Sequence, residues 1–124
     1  MKITRMERFI FIFIIVSITF AETFVTYIED ERQIEVVRQV DIKLRNFVNE
    51  IKECMKTTGR LSRQCMCYYR NEFEELRKAY KEAIDTYPEW KDKYIGWKSK
   101  GREYFVSFPA LRRQLHINEM FCGW

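Results

Sequence analysis

The sequence predicts a mainly α domain: an antiparallel two-helix hairpin stapled by disulfides, capped by a small β-hairpin or irregular segment and a short C-terminal helix. Three observations carry this expectation. Two long segments, from Asp30 to Lys56 and from Ser62 to Tyr87, place apolar residues three and four apart, the period of an amphipathic helix. The two stripes match each other when the chain folds back near Arg60, because Ile51 then meets Tyr69, Phe47 meets Phe73, Leu44 meets Leu76, Val40 meets Tyr80 and Val37 meets Ala83. With 16% aromatic residues against only 4 Gly and 2 Pro in 124 residues, the composition suits one core built on regular elements and excludes a loop-rich miniprotein.

The elements follow in chain order. Lys2, Arg5 and Arg8 precede thirteen residues without a charge, Phe9 to Ala21, which reads as a signal peptide over 1–21 followed by a single domain over 22–124. Thr19 and Ala21 stand where a signal peptidase needs small residues. The competing reading is an uncleaved anchor whose helix runs on to Ile28 to reach the ~20 residues a bilayer requires, at the cost of placing Glu22 in the membrane. The uninterrupted apolar run is too short to span, which favours cleavage. Either way the basic start stays inside and the remainder is exported, to the periplasm or the medium. The sequence has no Asn-x-Ser/Thr acceptor, which leans toward a bacterial route.

Within the exported part, Ile34, Val37, Val40, Leu44, Phe47, Val48, Ile51 and Cys54 form the first stripe, and Thr57-Thr58-Gly59 stops it with a glycine suited to a left-handed cap. Ser62 offers an N-cap for the second helix, whose stripe runs Cys65, Tyr69, Phe73, Leu76, Tyr80, Ala83, Tyr87 until Pro88 ends it. Pro88-Glu89-Trp90 then reads as a tight or helical turn. Tyr94 to Trp97 and Glu103 to Phe108 read as strands around the Gly101 turn, and Phe108-Pro109 opens a last helix through His116. Ile117 to Trp124 is expected to be a tail tied down by Cys122.

Four cysteines, Cys54, Cys65, Cys67 and Cys122, all lie in the exported part, where an even count favours disulfides. Joining Cys65 to Cys67 would strain a very small ring. That leaves 54–65 with 67–122, or 54–67 with 65–122. The first is preferred, because Cys65 shares the inner face with Cys54 while Cys67 is turned about 200° from Tyr69 at ~100° per residue.

No catalytic constellation is visible. His116 is the only histidine, so no two-His metal motif exists, and no cofactor or metal is expected. Glu29 to Glu31 suit a helix start, and Glu74 falls four residues before Lys78, so the acid pairs read as structural and not as glycosidase carboxylates. Without Lys2, Arg5, Glu7 and Arg8 the chain keeps 19 basic and 17 acidic side chains. That small excess, with export, argues against nucleic acid as a partner.

The charge is uneven, however. Seven cations lie between Glu89 and His116, and Trp90, Lys91, Lys93, Trp97, Lys98, Lys100, Arg102, Arg112 and Arg113 form a basic-aromatic set that is the candidate binding surface. The expectation is a small exported, non-enzymatic module that binds another exported or envelope protein, as an inhibitor, an immunity-type factor or an accessory. Membrane contact is expected only through residues 9–28, if the signal is not cleaved. The alternative is a thiol- or copper-handling protein using Cys65 and Cys67 with Met66, Met120, Cys122 and His116.

Overall fold

A computed structural model describes residues 25–124. The predicted signal peptide over 1–21 lies outside the described residues. The first element is a short strand, β1 (Val25–Tyr27). These three residues pair in parallel with a later strand, so an apolar helix running through to Ile28 does not form. Among the described residues no helix is long and apolar enough to cross a membrane.

Helix α1 (Glu31–Thr58) starts where Asp30, in extended conformation, accepts hydrogen bonds from the backbone N–H of Arg32 and Gln33 at 2.9 and 3.1 Å. It stops at Gly59, whose φ of 68° lets its N–H close back on the Met55 carbonyl. The second predicted helix is divided in two: α2 (Ser62–Tyr68) and α3 (Arg70–Thr86), separated by Tyr69 at φ −97° and ψ 58°. Ser62 is already helical and is not the N-cap. Leu61 holds that position, and its N–H is satisfied by the Gln64 side chain at 3.2 Å. The antiparallel register read from the stripes holds across α1 and α3, where Phe47 and Phe73 meet edge to face with ring centroids 5.8 Å apart. On the rim of the same seam Lys43 pairs with Glu75 at 3.1 Å. Glu74 pairs with Arg77 and Arg70 in place of the expected Lys78.

Pro88–Asp92 forms a 3-10 turn, and two strands follow, β2 (Tyr94–Ser99) and β3 (Arg102–Ser107). The sheet order is β1-β2-β3, with β1 parallel and β3 antiparallel to β2. Ile95 and Trp97 on β2 and Val106 on β3 turn inward and join the core with Val37, Val40, Phe73, Leu76 and Phe108. Helix α4 (Phe108–Cys122) is longer than predicted, since Ile117 to Cys122 is helical and not a loose tail. Its inward stripe is Phe108, Leu111, Leu115 and Asn118, and the asparagine hides the period from an apolar count. Asn118 Oδ1 accepts from Gln114 Nε2 at 2.9 Å.

All four cysteines are bridged, Cys54 to Cys65 and Cys67 to Cys122, with Cα separations of 5.7 and 5.3 Å. This is the preferred pairing of the two. It places α2 between the C-terminal ends of α1 and α4. The molecule therefore has a sheet end, beside the start of α1, and a stapled end, separated by about 40 Å of helix at ~1.5 Å per residue.

Candidate functional site

The predicted surface is divided by the fold. Trp90 and Trp97 do not belong to it: both are buried. Trp90 stacks on Tyr87 at 4.3 Å and leans on Phe108 at 5.6 Å, while Trp97 stacks on Tyr104 at 5.5 Å. The alternation along β2 decides this, since Ile95 and Trp97 share the face that packs inward. Their indoles are core.

The cations remain exposed but form two groups. Lys98, Lys100 and Arg102 cluster at the hairpin turn, with Lys98 3.7 Å from Glu103 on the neighbouring strand. Lys91, Lys93, Arg112 and Arg113 gather at the opposite end of β2, about 17 Å away at the usual rise per strand residue. There Arg112 lies 3.7 Å from Asp92. Both charges also face Tyr80, whose phenol is pushed above its ordinary value chiefly by burial, with Arg112 opposing and Asp92 adding to the shift. Arg112 therefore serves the scaffold at least as much as any ligand.

What the sheet does assemble is an aromatic row that the sequence reading did not single out. The register places Tyr27 beside Gly96 in the parallel ladder and Gly96 beside Phe105 in the antiparallel one. The three positions share the outer face, so Tyr27 and Phe105 lean together over the glycine, edge to face, with centroids 6.1 Å apart. Gly96 makes the approach possible. A Cβ built on it would sit 3.1 Å from atoms of both rings, closer than ordinary contact. Each ring is about half exposed. A side chain at position 96 would separate them; without one they form a single apolar platform, one ring edge-on to the other.

The platform opens at one side into a groove of about 410 Å³, lined by Tyr27, Ile28, Glu29, Ile34, Lys98 and Glu103. The groove lies where β1 gives way to α1 while β2 continues toward Ser99. Its floor is apolar and its rim carries one cation and two carboxylates, so it can receive a side chain and a polar backbone together. Phe105 was visible in the sequence as part of the predicted strand from Glu103 to Phe108. Tyr27 was not, because its neighbour on the surface, Phe105, lies 78 positions away in the chain.

His116 is an exposed residue of α4. Among the described residues no group of three or more His, Cys, Asp or Glu is arranged to hold a metal ion. No protein-family model matches this chain, and neither the curated proteins nor the solved structures contain a significant match to it.

Proposed function

We propose that this is a small exported binding module that engages another exported or envelope protein through the outer face of its sheet, in an inhibitory, immunity-type or accessory role. The observation that supports it most directly is the Tyr27–Gly96–Phe105 row. Two half-exposed aromatic rings held rigidly over a glycine are the kind of anchor on which protein contacts concentrate their energy, because little side-chain entropy remains to be lost. The cations at the hairpin turn and the carboxylates of the groove supply a polar rim. Two bridged cysteine pairs accord with an oxidising compartment.

The test is capture from envelope extract with the wild-type chain and with Phe105→Ala and Tyr27→Ala side by side. A cognate partner should be retained by the wild type and lost, about thirty-fold or more in affinity, by either variant, as expected for truncation of a central aromatic anchor. A partner retained equally by all three would refute the assignment of the sheet face. Thiol or copper handling through Cys65 and Cys67 requires thiolates. Thiol titration of protein isolated without reductant addresses that alternative, and two or more free thiols in four would favour it.

A further inference from the structure

The stapled end carries a second surface of different chemistry. Among the described residues the three most exposed large apolar side chains are Leu61 at 72%, Tyr68 at 69% and Met120 at 68%, and all three are there. Phe121, next to Met120 in α4, is also exposed. Leu61, the N-cap of α2, and Tyr68, its last residue, stand seven positions apart, so they project to the same side of it. They cannot collapse inward. Cys65 commits the neighbouring face of α2 to α1, and Cys67 commits the far face to α4.

The charge on the turn and α2 has one sign, with Glu53, Glu72 and Glu119 bordering it. From Cys54 to Asn71 the chain contains Lys56, Arg60, Arg63 and Arg70 and no Asp or Glu. Among the described residues Lys56, Arg60 and Arg63 make no ion pair, and Arg70 reaches Glu74 only at 3.9 Å. Arg63 lies over the Phe121 ring, its guanidinium carbon 4.8 Å from the centroid, so a cation and an apolar group occupy the same spot. Unpaired cations interleaved with projecting apolar groups call for a partner that is negative at its surface and apolar just beneath.

We infer that the stapled end docks on the surface of an anionic bilayer. Leu61, Met120 and Phe121 enter the boundary between headgroups and acyl chains, Tyr68 sits at headgroup level, and Lys56, Arg60 and Arg63 meet lipid phosphates. A lipid surface fits better than a folded partner, because the apolar groups project singly from the hairpin turn, α2 and α4. A fluid interface accepts such groups one at a time, whereas a protein would need a matching hole for each.

Because residues 9–21 are themselves apolar, total vesicle binding of the full chain does not report on this end, and the readout must be local. Leu61→Trp in the oxidised full chain, mixed with phosphatidylcholine–phosphatidylglycerol vesicles carrying brominated acyl chains, should lose at least about half its added emission. Ile42→Trp, on the exposed middle of α1, should lose none, and phosphatidylcholine vesicles should quench neither. Adding Arg60→Glu and Arg63→Glu should raise the lipid concentration required by at least about 25-fold, at roughly five-fold per cation. All four positions are exposed, and circular dichroism verifies that the fold is kept.

Absent quenching of Leu61→Trp, equal quenching at position 42, or equal quenching by neutral vesicles overturns the inference. So does an acidic protein whose capture is lost in the charge-reversed chain while position 61 stays unquenched. Phe105→Ala, at the opposite end, should leave the vesicle signal unchanged, which separates this inference from the sheet-face reading.

Discussion

At the scale of single residues the turn between β2 and β3 is held at a cost. Lys100 and Gly101 are the two central residues, with φ of 51° and 76°, the positive pair that a two-residue hairpin turn of the inverted type demands. Gly101 adopts it freely, whereas Lys100 carries a Cβ into a region that costs a non-glycine residue roughly 1 kcal/mol. Asparagine tolerates that region far better, so Lys100→Asn should stabilise the protein by about 0.5–1 kcal/mol, read as a higher urea midpoint at unchanged slope. An unchanged or lower midpoint would show that Lys100 makes a compensating contact. The glycine of this turn was plain in the sequence, as was the left-handed cap at Gly59. The roles of Trp90 and Trp97 were not, because interleaving with lysines looks the same whether an aromatic points out to a partner or in to a core. Only the direction set by strand alternation and by packing on Tyr87, Phe108 and Tyr104 distinguishes the two.

At the scale of elements the two bridges act differently. Cys54–Cys65 spans 11 positions beside a turn that already brings α1 and α2 together, while Cys67–Cys122 spans 55. Chain entropy alone assigns them about 3 and about 4 kcal/mol respectively. The packing widens the difference. The long bridge secures the last turns of α4 and, just beyond, Trp124, whose ring packs on Phe73 at 4.7 Å. Cys122→Ser should therefore raise amide exchange over residues 117–124 and shift the Trp124 emission, leaving the hairpin of β2 and β3 protected by its own ladder. Cys54→Ser should leave that segment protected. Equal exchange in the two variants would mean that apolar contact, and not the bridge, fixes the end of α4. The hairpin register and the cysteine pairing were legible because both follow from helical angles that sequence spacing encodes. The break at Tyr69 was not, since the stripe runs through it unaltered. The bridges anchor opposite faces of α2 to different helices, a constraint that arises only once both pairs are closed.

At the scale of the whole molecule the sheet joins the start of the described chain to its C-terminal third, and this is the part of the architecture that no local pattern announced. β1 is three residues long, follows an apolar segment and pairs in parallel with a strand lying beyond two long helices. Its partner is chosen by the tertiary fold and not by its own sequence. Ile28, immediately after it, is buried and donates its N–H to the Gly96 carbonyl at 3.0 Å, so the entry into α1 is tied to the sheet as well. One consequence concerns the predicted cleavage after Ala21, which would leave β1 intact, whereas a start at Ile28 would remove it. Chains beginning at Glu22 and at Ile28 can be compared directly by urea denaturation. The shorter one should lose about 2 kcal/mol, from ladder hydrogen bonds worth about 1 kcal/mol each together with the half-buried side chains of Val25 and Thr26. It should also lose the sheet-face partner, since Tyr27 goes with the strand, while quenching of Leu61→Trp at the stapled end persists. Coincident midpoints for the two chains would show that β1 contributes surface without stability. Loss of both binding activities at once would instead show that the two ends fold as one unit and cannot be separated by truncation.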